Sequence, residues 1–257
     1  MAWNPFSGLF RRRERVSGPP RSANGASSFH LWWRMPPSAP LVEISCVLEV
    51  LEAPAVARLY FWALQVDFTD GRSSVGGGHT GLQWNPRYEG GTAVNWGGYA
   101  AQSRGGGVLP GSSSSLPGFP DDPNTLGYPW RPGRPYRFRV HRSPDRPGAW
   151  RADVTDVPTG ETSLIRELFG GGTYLSAPVV WSEVFADCDA PSVTVRWSDL
   201  RGVDVEGAEL RPSGVQVNYQ SEGAGGCSNT TVALQDGGVL QVTGVPRTVE
   251  QGSFMQL

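Results

Sequence analysis

The chain has 257 residues, Gly 34 and Pro 22 among them, and 39% of it is hydrophobic. So many turn formers without a Gly-X-Y period exclude collagen and point to short strands joined by turns. All the basic residues are Arg and the net charge is −2, which excludes a Walker A loop and Schiff-base chemistry and leaves no global pull toward nucleic acid.

Residues 1–27 are rich in Arg, Ser, Gly and Pro without period and read as a disordered basic tail. From residue 28 to 257 no linker or repeat appears, so a single β domain of about 12–14 strands is expected. Residues 29–34 give the first strand. Residues 41–51 alternate, with Val42, Ile44, Cys46, Leu48 and Val50 against Glu43, Ser45 and Glu49. In residues 57–68, Tyr60, Trp62, Leu64, Val66 and Phe68 form one face. Phe61, Ala63, Gln65 and Asp67 form the other, which turns polar and is expected to open into a groove.

Residues 76–99 follow, with runs 79–85 and 92–99 around a Pro/Gly turn, which predicts a hairpin. Gly76, Gly78 and Gly81 fit G-x-G-x-x-G, but strand and turn residues follow where a dinucleotide site needs a helix. Those glycines are expected in a loop with positive φ. Residues 103–135 read as a long loop, and residues 136–142 and 149–156 as a hairpin that puts Tyr136, Phe138, Val140, Trp150, Ala152 and Val154 inside. Residues 163–169 could make a helical turn. Residues 179–185 carry Trp181 and Glu183 on one face, and short strands run to the end. The fold class expected is all-β, an antiparallel jelly-roll or concanavalin-like β-sandwich.

The chemistry is sparse. Three His in scattered positions make no metal site, although Asp121, Asp122 and Asn124 offer oxygens suited to calcium. No other cofactor is implied. Cys46 reads as a buried thiol, and Cys188 and Cys227, both in loops, leave a bridge between them open. No run is apolar enough to span a membrane and no secretory leader is visible, so a cytoplasmic protein is the default, with export by another route as the alternative. Ten Trp are the strongest functional feature. Trp96, Trp130 and Trp181 lie on mixed faces or in loops and, with Gln83, His79 and Asn85, offer rings and amides suited to a sugar. Glu183 is the carboxyl best placed for catalysis, yet glycosidases need two. Binding is therefore favoured over catalysis.

The runs LYFWALQVDF, GGGHTGLQWNP, TAVNWGG, PWRPGRPYRFRV, GAWRADV and LSAPVVWSEVF resemble an uncharacterised bacterial family, a domain of unknown function with a concanavalin-like sandwich. Gly81 and Gln83, then Trp96, then Glu183 match its pattern, while His79-Thr80 replaces an aromatic; the resemblance covers roughly residues 29–200 and implies a lectin-like fold with a glycan-related role. The expectation is a lectin-like carbohydrate-binding protein with a glycan partner. The alternatives are a glycoside hydrolase or polysaccharide lyase on the same face, or a non-catalytic structural or partner-binding protein.

Overall fold

Strict alternation of apolar and polar residues leaves these segments no better way to bury one side than to pair as strands. The computed structural model describes residues 15–257. All strand pairs are antiparallel and form two layers. In the first, the order is β17 (Phe254–Gln256), β14 (Gly214–Tyr219), β1 (Ser27–Trp33), β11 (Tyr174–Val184), β3 (Tyr60–Thr69), β4 (Ser74–Trp84), β5 (Thr92–Ala100), β7 (Asp122–Gly127) and β6 (Gly118–Phe119). In the second it is β15 (Thr230–Gln235), β16 (Gly238–Thr243), β12 (Thr194–Asp204), β2 (Leu41–Val50), β8 (Pro135–Arg142), β9 (Trp150–Asp156) and β10 (Glu161–Leu168). A short β13 (Glu209–Leu210) borders the far end of β12, and one pairing, Leu175 with Leu41, joins the layers.

The inner faces of both layers share one core, including Tyr60, Trp62, Leu64, Phe68 and Trp96 from the first and Cys46, Leu48, Phe138, Trp150 and Trp197 from the second. Phe68 stacks on Trp150 with ring centroids 5.5 Å apart, and the Trp96 indole N–H donates across the gap to the Trp150 carbonyl at 3.1 Å. The expected all-β antiparallel class is what the chain adopts.

Several local expectations change. Residues 163–169 are not helical; they belong to β10, which pairs with β9 across a bulge between Leu164 and Arg166. The supposed loop 103–135 contains β7, a strand of six residues on β5, because Thr125 and Leu126 are buried despite their polar neighbours. The glycines at 76, 77, 78 and 81 lie within β4, none at positive φ. They are small because neighbours press on them: a Cβ on Gly78 would stand 2.6 Å from the Trp96 ring.

The first 14 residues of the expected tail lie outside the described residues. Residues 15–27 are held to the body: the Gly18 carbonyl accepts from Cys188 N–H, Arg21 N–H donates to Gly225, and Ser228 N–H donates to the Arg15 carbonyl.

Candidate functional site

β-pleating sends residues 61, 63, 65 and 67 of β3 to the side away from the core. The ladders then fix what stands beside them. Phe61 pairs with Gln83 on β4 and with Glu183 on β11, and Ser28 of β1 pairs with Glu183. One row across four strands therefore reads Ser28, Glu183, Phe61, Gln83. Ala63 lies between Gly81 and Trp181, and His30 pairs with Trp181. Gln65 stands opposite His79 and Val179, and Val179 opposite Trp32.

Phe61, Ala63, Val179 and Trp181 form a small apolar cluster separate from the core, with Trp32 against it. The Phe61 and Trp181 rings meet edge to face at 4.9 Å. The Trp181 N–H donates to Gln65 Oε1 at 3.0 Å, which fixes the indole's orientation. His79 touches both rings, with centroids 5.6 Å from Phe61 and 5.7 Å from Trp181, and burial lowers its imidazole pKa to about 4.

Glu183 and Gln83 occupy the same row, two strand spacings apart, which is roughly 10 Å between Cα atoms. Glu183 is half-buried. Burial raises its carboxyl above the ordinary range, while hydrogen bonds from Asn24 and Ser28 pull the other way. Asn24 Nδ2 donates to Oε1 at 2.8 Å. Glu183 makes no ion pair with Arg139 or Arg196, whose guanidinium groups pair with Glu43 and Glu49.

Gln83 is 5% exposed. Its Oε1 accepts from Asn85 Nδ2 at 3.0 Å, which leaves the Nε2 hydrogens as donors with no acceptor among the described residues. Beneath it the Trp130 indole donates to the Gln83 main-chain carbonyl at 3.0 Å.

Of the residues expected to bind, Gln83, Trp181, His79 and the catalytic candidate Glu183 share this face, and Asn85 sits at its rim as a buried amide holding Gln83. Trp96 and Trp130 do not join them. Trp96 pairs with Thr80, one step out of phase with Gln83, and is fully buried; Trp130 is 2% exposed against Trp62 and Trp84. Neither has a ring face to offer a sugar. The calcium oxygens are otherwise engaged: Asp121 and Asp122 pair with Arg87, and Asn124 Oδ1 accepts from Arg166 at 2.8 Å. Among the described residues no group of three or more His, Cys, Asp or Glu is arranged around a metal position. Sequence reasoning missed Asn24, Ser28 and His30. The alternation of β1, which sets Ser28, His30 and Trp32 on one side, could have found the last two.

The larger hollows lie elsewhere. A groove of about 690 Å³ beside the disulfide corner is lined by Asp189, Ser228, Asn229, Arg247 and Glu250 among others. Its one guanidinium is engaged, donating to the Cys227 and Thr230 carbonyls and lying over the Tyr219 ring.

No family model and no curated protein matches the chain. Among solved structures it is similar to SCP-B, a member of the eqolisin family of peptidases in complex with the tripeptide Ala-Ile-His, at 10% identity and a TM-score of 0.46. It is also similar to scytalido-glutamic peptidase bound to a transition-state analogue inhibitor, at 12% identity and the same TM-score. Both alignments cover 84% of this chain and 97% of the other.

The carbohydrate-binding expectation, with its glycan partner, is corrected here. Two of the three rings meant to stack on sugars are inside the core. The glycosidase alternative lacks its second carboxylate. Asp67, the other acid of this face on the central strands, lies six residues along β3 from the Glu183 row, roughly 20 Å away, whereas glycosidases hold the pair about 5–10 Å apart.

Proposed function

We propose that the outer face of the first layer carries a hydrolytic site for acyl substrates, peptides above all, with Glu183 as general acid–base and Gln83 as oxyanion donor. The observation that carries this reading is their common row on either side of Phe61. A carboxyl and an oriented carboxamide are the two groups that water addition to a carbonyl needs. The Glu183 carboxylate takes a proton from water as the water oxygen bonds to the carbonyl carbon. The Gln83 N–H donates to the oxygen that becomes negative. Glu183 then returns the proton to the leaving nitrogen as the C–N bond breaks.

Burial of Glu183 supports this role, because a carboxyl with a raised pKa is a stronger base and can also deliver its proton. The half-buried Trp32 beside the Trp181–Phe61 cluster would meet apolar substrate side chains. The Cys188–Cys227 bridge supports a workplace in an oxidising compartment.

The test is cleavage of fluorescein-labelled casein between pH 3 and 7. Glu183→Gln should lose roughly 10²–10⁴-fold in rate, and Gln83→Ala roughly 10²–10³-fold, with both variants folded by circular dichroism. Undiminished cleavage by Glu183→Gln, or none by the wild type at any pH, would remove the reading.

A further inference from the structure

The turn before β1 reaches Glu183 in a specific way. Gly25 N–H donates to the Ser22 carbonyl at 3.0 Å, closing a turn that needs the positive φ of Gly25, 79°. Within it the Asn24 side chain is oriented at both ends. Its Oδ1 lies 2.8 Å from Ser22 Oγ and accepts from Ala26 N–H at 3.2 Å; its Nδ2 donates to Glu183 Oε1 at 2.8 Å. The Ala26 N–H holds that oxygen in place, so the carboxyl meets the N–H₂; the single Ser22 hydroxyl proton is shared with the Ala26 carbonyl, 2.5 Å away.

The turn is itself anchored on both sides. Arg21 N–H donates to the Gly225 carbonyl at 2.8 Å, and Ser27 Oγ accepts from Cys227 N–H at 2.9 Å. Ala26, between Asn24 and the strand, is fully buried. The contact draws the Glu183 carboxyl toward β1, the side on which Ser28 also stands.

We infer that Asn24 is a positioning residue for Glu183, fixing Oε1 from the side of β1 and so holding the carboxyl in one orientation on the outer face. This rests on the hydrolytic reading of Glu183. A donor on the ionised form also favours ionisation, so Asn24 sets where on the pH scale the carboxyl becomes a base.

Two variants separate this role from turn stability. Asn24→Asp keeps an oxygen for Ser22 and Ala26 but replaces the donor facing Glu183 with an acceptor. Asn24→Ala removes both contacts. The first readout is the titration of the Glu183 side-chain carbon by NMR with ¹³C-labelled glutamate, assigned through Glu183→Gln. The Glu183 midpoint should move up in Asn24→Ala and further up in Asn24→Asp. The second readout is casein cleavage, where kcat should fall roughly tenfold with KM unchanged, as expected for one lost hydrogen bond to a charged group, and the acid limb of the profile should follow the NMR midpoint. A Glu183 midpoint unmoved in Asn24→Asp overturns the inference. So does a rise in kcat, which would make the turn an obstruction. A moved midpoint without cleavage by any form, wild type included, upholds the positioning role and rejects hydrolysis, so the two failures are distinguishable.

Discussion

His79 is the titratable group whose surroundings give it least. No described residue offers either ring nitrogen a hydrogen bond, and aromatic rings lie on two sides of it. With a folded pKa near 4 against an ordinary 6.5, the unfolded chain takes up a proton that the folded chain refuses. Stability contributed by the neutral ring is complete above pH 6.5, falls as pH drops toward 4, and falls no further below. In urea titrations at several pH values, the wild type should weaken across that window and His79→Gln should weaken less. Equal slopes would mean that the imidazole is not excluded from protonation. The shared face of Glu183, Trp181, Gln83 and His79 was legible from phase alone, because each lies an even number of positions from its strand partner. Trp96 was not. Its side depends on which residue of β4 it faces, and the register is fixed by the geometry of the intervening turn, 85–91, rather than by any pattern in the strands. Asn24 was hidden for a related reason: a turn residue has no period to read.

Among the elements, β4 shows why composition misled. Its glycines invite a loop, yet the strand is fully paired on both edges, and the missing side chains let β3 and β5 close on it. A Cβ on Gly81 would stand 1.8 Å from the Trp62 carbonyl oxygen and 2.7 Å from Ala63 Cα, both main-chain atoms that cannot turn aside. Gly81→Ala should therefore destabilise by about 3 kcal/mol or more, the upper end of what overpacking costs, measured by the urea midpoint. A cost below about 1 kcal/mol would show that the central ladder yields more easily than it is packed. The bridge left open by the sequence does form: Cys188 and Cys227, 39 positions apart, tie the loop after β11 to the loop before β15. A closed loop of that length restrains the unfolded chain by about 3–4 kcal/mol. Reduction at neutral pH should lower the thermal midpoint clearly, and an unchanged midpoint would show the corner to be held by its hydrogen bonds alone.

For the whole molecule, the two outer faces have opposite electrostatic characters. The first layer presents rings, amides and two acids whose ionisation burial opposes. The second presents arginines and acids in alternation along β2, β8 and β12, and that charge pattern was readable in the sequence. Its hub was not, because Asp199 sits in the bulge of β12 between Ser198 and Arg201, at a φ of 48° that few residues other than glycine adopt. From there its carboxylate meets Arg137 and Arg201 at 2.6 Å and Arg211 at 2.7 Å. Burial opposes its charge, but the three arginines outweigh that and hold its pKa at about 2. Because the folded value lies below the unfolded one, the stability it gives is present above about pH 4 and is lost as pH falls through 2. A depression of that size corresponds to about 2 kcal/mol. Acid should therefore weaken the protein in two stages with different owners. The first, from pH 6.5 to 4, involves His79 and His30, both lowered by burial on the ring-lined face. The second, below pH 4, involves Asp199 on the ion-paired face together with Asp70, Asp153 and Asp156, whose carboxyls are also held below the ordinary range. Asp199→Asn should cost about 2 kcal/mol at pH 7 and reduce only the second stage, and His79→Gln should reduce only the first. Urea midpoints from pH 7 to 2 for the two variants and their double mutant read this directly. Additive effects are expected for sites on opposite faces of the sandwich, and a double mutant that departs from the sum would mean that the layers share more than their core.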